Sequence, residues 1–173
     1  MWTILFSRFA SPVSLFDESS TYFRVLPTDV DVLMHMNNGR YFSLMDLARI
    51  NLLIRSKHFF TFKKNKIYPV IASEMIRFRK SLDLFQRFEL TSKMIGWDDK
   101  FVYVMHHFKV KGEVYALSLI KARFLHQGGG KVNPDELLAL IGHQQASPPL
   151  PNWVKDWQRA DQTFYDEALE INK

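Results

Sequence analysis

The chain reads as an α+β domain in which a five-stranded antiparallel sheet wraps around one long central helix, followed by a C-terminal helical extension. Three observations predict it. From Tyr41 to Ile54 ten of fourteen residues are apolar or aromatic, so a helix there must be covered on most of its circumference. Four strand-like segments follow, Val70 to Lys80, Phe85 to Ile95, Phe101 to Val110 and Glu113 to Leu125. Inside them the residues alternate: Val102, Val104, His106 and Phe108 share one face, and Phe101, Tyr103, Met105 and His107 share the other.

Taken in order, Tyr22, Phe23, Val25 and Leu26 form a first strand that Pro27 ends by removing a ladder donor. A polar turn at Thr28 to Asp31 leads to Asn37-Asn38-Gly39, which can cap the long helix. Ser43, Asp46 and Arg49 give that helix a thin polar stripe. About seventeen helical residues make about 25 Å, enough to cross five strands about 19 Å wide. Lys57 to Lys66 reads as a loop. Asp98-Asp99 and Lys111-Gly112 are turn chemistry, so the last three strands form a meander, with one face on the helix and the other available to a second subunit. Gly128-Gly129-Gly130 makes a bend, Pro134 to Ile141 a short helix, and Pro148-Pro149-Leu150-Pro151 a stiff spacer. Trp153, Trp157, Ala160, Phe164 and Ala168 then recur at helical spacing. The boundaries are an N-terminal arm over residues 1–20, a domain over 21–130 and the extension over 131–173.

Composition narrows the function classes. A chain of 173 residues supports one core, and a net charge of +5 (23 basic against 18 acidic residues) can attract phosphorylated ligands or an acidic carrier. The absence of cysteine excludes disulfides, Cys-ligated zinc and a thiol nucleophile, and a reducing cytoplasm is the expected compartment. Met1 to Phe9 is apolar but interrupted by Arg8, and is far shorter than the roughly 20 residues that span a bilayer. It reads as an arm packed on its own domain or on a partner; no membrane contact is expected. Aromatic strands are core rather than stacking platforms, so no nucleic-acid role is expected. His106 and His107 point to opposite faces of one strand and cannot share a metal, so no metal site is expected.

The stretch from Pro27 to Tyr41 carries the chemistry. It places Asp29, Asp31 and His35 beside a helix N-terminus, where unpaired N–H groups and the macrodipole favour negative charge. Thioester hydrolysis needs an ionised carboxylate to attack or to activate water, and fixed donors for the oxyanion. Asp31 suits the first need and the backbone around Asn37 to Gly39 the second. His35 either hydrogen-bonds the attacking group or ties the loop to the helix. Glu74 is a fallback carboxylate.

Asp29, Asp31, His35, Asn37, Asn38 and Tyr41 together resemble the pattern of hot-dog-fold thioesterases of the 4-hydroxybenzoyl-CoA thioesterase type, and are similar also to plant acyl-carrier-protein thioesterases. Ile76 to Phe88 and Gly96 to Lys100 look like the thioesterase-like subgroup of that superfamily. The resemblance covers about Tyr22 to Leu125. It implies a fatty-acyl-CoA or acyl-carrier-protein thioesterase with Asp31, His35 and Asn37 as catalytic residues. Substrate binding then falls to Asn38, Gly39, Tyr41, Arg77 and Arg79, with no cofactor beyond the coenzyme A of the substrate. It also implies a homodimer or homotetramer with shared sites, the second strand of one subunit facing the Asp31 loop of the other. Two positions depart from the pattern: Leu33 stands where plant relatives carry a helpful Asn, and Arg77 where many relatives carry Glu. They motivate the alternative, a non-catalytic protein that binds acyl-CoA or acyl carriers.

Overall fold

The computed structural model describes residues 11–171; the arm read from Met1 to Phe9 lies outside them. The elements are β1 (Ser19–Arg24), a 3-10 turn (Pro27–Asp29), α1 (Asn38–Arg55), α2 (Phe59–Lys64), β2 (Ile67–Phe78), β3 (Arg87–Trp97), β4 (Val102–Val110), β5 (Glu113–His126), β6 (Lys131–Val132), α3 (Pro134–Ala139) and α4 (Asn152–Glu170). All strand pairs are antiparallel, in the order β1-β3-β4-β5-β2, with β6 added to β5. β2 pairs only with β5, so its other edge is unpaired among the described residues.

The sheet curls around α1, whose Tyr41, Leu44, Met45, Ala48 and Leu52 are buried against Leu90, Val104, Phe108 and Ile120. Asn37 is the N-cap, its Oδ1 accepting the Gly39 N–H at 2.9 Å. Lys57 to Lys66 is not wholly loop. Its Phe62 is buried, and its ring meets Phe124 at 5.6 Å, so packing folds a six-residue helix there that propensity alone does not announce.

The outer face of the meander is covered by this chain's own extension. Val154 of α4 is buried with Tyr103 and Leu119, and Trp157 packs beside them. Gln158 Nε2 donates to Asp98 Oδ2 at 2.7 Å, and Asp161 accepts from Lys121 Nζ at 2.9 Å and Ser73 Oγ at 2.6 Å. α4 therefore runs from β4 over β5 to β2. The spacer before it depends on Gly96, whose φ is +151° and where a Cβ would meet the Leu150 side chain at 2.9 Å. None of the helices among the described residues is long and apolar enough to cross a membrane.

Candidate active site

The two carboxylates of the loop have different surroundings. Asp29 is 3% exposed. Its Oδ2 accepts the Leu26 N–H at 2.9 Å, its Oδ1 accepts Arg40 Nε at 2.8 Å, and its carbonyl accepts the Asn37 N–H at 2.8 Å. It ties the 3-10 turn to the start of α1. Asp31 lies two residues on, in a tight turn with Met34 at φ 60°. Its N–H donates to the His35 carbonyl at 3.0 Å, and its Oδ1 accepts the Leu33 N–H at 2.9 Å. No side chain among the described residues donates to Asp31, so its second oxygen can address water or a ligand.

A cleft of about 310 Å³ opens in front of this turn, lined by Asp31, His35, Asn38, Tyr41, Phe78 and Arg79 among others. His35 Nε2 lies 3.6 Å from Asp83 Oδ1, which holds the imidazole at the rim. Tyr41 is pushed up to about 12 by burial, with the Leu82 backbone opposing the shift, so it is a neutral phenol and no base. Its ring packs edge-on against Phe78 at 4.9 Å. At the helix start, the N–H groups of Asn37, Gly39 and Arg40 already have acceptors. The Asn38 N–H has none among the described residues, and it is the donor left for an oxyanion.

The structure thus brings together Asp31, His35, Asn38, Tyr41 and Arg79, with Asn37 and Gly39 forming the cap beneath them. Arg77 is not among them. It pairs with Leu117, which pairs in turn with His107, and so shares the outer face of the sheet; the cleft belongs to the inner face of Phe78 and Ala116. Lys80 joins the rim, bound to Glu113 at 2.6 Å. Glu74 is on the inner face, four residues before Phe78; burial raises its pKa, Arg49 opposing and Asp46 adding.

A second cavity, about 410 Å³, lies between α1 and the sheet and is mainly apolar, with Ile50, Leu53, Pro69, Ile71, Val104 and Ala122 in its wall. Asp46 and Arg49 also reach it. The polar stripe of α1 is therefore only partly solvated. Arg49 turns inward, its Nη1 3.5 Å from His106 Nε2, and His106 Nδ1 lies 2.8 Å from Ser92 Oγ. The sequence signal for this layer was a His on the core-facing register of β4.

Burial holds His106 well below the usual histidine range, with Arg49 and His107 adding to it and a Thr91 backbone bond opposing. Burial also lowers His58 and His107. Their folded-state values lie below the unfolded value of about 6.5, so their contribution to stability is intact above that pH and is lost as pH falls through it. For His106 the slope is up to about 1.4 kcal/mol per pH unit. Thermal unfolding followed from pH 7.5 to 5.5 should show a midpoint that holds to about pH 6.5 and falls below it; a profile flat over the whole range would contradict a neutral buried His106.

The model of the Thioesterase-like superfamily matches residues 25–158. The chain belongs to that superfamily. Protein THEM6 of Danio rerio is 28% identical over 97% of this chain and 85% of its own length. Protein THEM6 of Xenopus laevis is 34% identical over 77% of this chain, and the match spans only 63% of that protein. Among solved structures, a gentisyl-coenzyme A thioesterase superposes with a TM-score of 0.63 at 20% identity, covering 70% of this chain and 99% of that one. The fold is the hot-dog fold of that thioesterase, with β6 added to the expected five strands and α4 as the expected C-terminal extension.

Proposed function

We propose that this superfamily member hydrolyses fatty-acyl-CoA thioesters, with Asp31 as general base. The observation that carries the reading is a carboxylate with one oxygen held by the Leu33 N–H and the other unclaimed, lining one cleft with the unpartnered Asn38 N–H at the start of α1. Asp31 takes a proton from water as its oxygen adds to the thioester carbonyl, and the oxyanion forms against the Asn38 N–H. The C–S bond then breaks, and the proton passes to the leaving thiolate. His35 and Arg79 orient the substrate at the rim.

Dimerisation through the unpaired edge of β2 links this cleft to the second cavity. Antiparallel pairing of β2 with its own copy brings the Phe78 end of one protomer to the Pro69 and Ile71 end of the other. The first end borders the cleft and the second borders the apolar cavity. The acyl chain of a thioester at Asp31 then runs under α1 of the partner. A cavity of about 150 Å³ holds benzene, so one of about 410 Å³ admits a chain on the order of 14 carbons.

Thiol release measured across acyl-CoA chain lengths tests this, and Ala122→Met sharpens the test. Ala122 is buried in the cavity wall, and the larger side chain displaces about two methylenes of substrate, each contributing about 0.8 kcal/mol. The expected result is a fall of at least about tenfold in kcat/KM for the longest chains, with short chains unaffected. An unchanged chain-length profile would remove the cavity from the substrate path.

A further inference from the structure

The C-terminal helix extends further than its own sheet. Asp161 is bonded to Ser73 on β2, the edge strand, and to Lys121 on the neighbouring β5. Because α4 runs from β4 towards β2, the residues after Asp161 have passed the last strand. From Asp161 to Glu170 the helix rises about 13 Å, nearly three strand spacings of about 4.8 Å. This overhanging half carries Phe164, Tyr165 and Leu169, which are 71%, 59% and 50% exposed. A monomer gains nothing from large apolar side chains beyond its own sheet, and they continue directly into the unpaired edge of β2.

We propose that the C-terminal half of α4 crosses the dimer boundary and packs on the partner protomer, antiparallel to the partner's α4. The proposal rests on the β2-to-β2 dimer described above. β2 runs from residue 67 to 78, so full-length pairing with its copy is centred close to Ser73, and the two α4 helices meet near Asp161. A centre displaced by about one and a half residues from Ser73 sets the helix axes about 10 Å apart, an ordinary packing distance. In such a pair residue 165 lies level with the partner's Trp157, and residue 169 with the partner's Trp153. These four positions follow one another at i, i+4 spacing through Asp161. The exposed parts of Trp153, Phe164, Tyr165 and Leu169 amount to roughly 400 Å² per protomer, about half of what a standard interface takes from each partner. The paired strands supply the remainder.

The test uses the full chain and sedimentation equilibrium. Phe164→Asp with Leu169→Asp alters only exposed side chains, so the unfolding midpoint is expected to hold while dimer dissociation rises at least tenfold. The chain has no cysteine, so Gln162→Cys accepts a single spin label near the proposed axis, with an expected separation of about 10–20 Å between copies. A wild-type dimer that the double variant leaves intact, or labels more than about 30 Å apart, would overturn the helix crossing and leave strand pairing standing. A wild-type monomer would overturn both. Pelleting of the wild type, but not of the double variant, with phosphatidylcholine vesicles would assign this face to lipid and likewise overturn the proposal.

Discussion

Asp31→Asn is expected to lower kcat by about 100- to 10,000-fold, the range over which a positioned general base acts, with the unfolding transition unchanged. The substitution is nearly isosteric. The amide oxygen still accepts the Leu33 N–H, so the turn from Asp31 to Met34 keeps its shape. What is lost is the second carboxylate oxygen as a proton acceptor. Single-turnover thiol release with saturating acyl-CoA reads this step directly, and full activity in a well-folded Asp31→Asn variant would remove Asp31 from the mechanism.

Asp29→Ala is expected to act in the opposite way, lowering stability by about 2–3 kcal/mol and activity as a consequence. Asp29 is buried and receives both the Leu26 N–H and the Arg40 guanidinium. Its removal orphans a backbone donor and a half-buried cation at the start of α1. Because the same residue's carbonyl fixes Asn37, the cap beneath the cleft loosens as well. Denaturant unfolding should show the loss, and a variant as stable as the parent would contradict the knot. Two carboxylates separated by one residue thus answer to different measurements, one kinetic and one thermodynamic.

Much of the fold was legible because its elements bury one face each. Alternation in β4 and the broad apolar surface of α1 follow from periodicity alone, and the Asn37 cap from its side-chain chemistry. The helix at Phe59–Lys64 was not, because six residues form a helix only when tertiary contacts such as Phe62 on Phe124 support it. The outer face of the sheet was open to two readings, and only the path of α4 shows that the chain covers much of it itself. At the site, a spacing of two could not tell Asp29 from Asp31, since their roles depend on Arg40 and Leu26 folding back onto one of them. The resemblance sets Arg77 opposite the Asp31 loop of a second subunit; within one chain the register of β2 puts its neighbour Phe78, and not Arg77, in the wall of the cleft.

The central claim is turnover at Asp31, and its most direct competitor is a protein that binds acyl-CoA without cleaving it. One measurement separates them: calorimetric binding and thiol release determined on the same purified full-length chain with the same acyl-CoA series. The account predicts binding that strengthens with chain length up to on the order of 14 carbons, together with release of coenzyme A on every well-bound substrate. Tight binding across the series with no thiol released above the uncatalysed rate would contradict it.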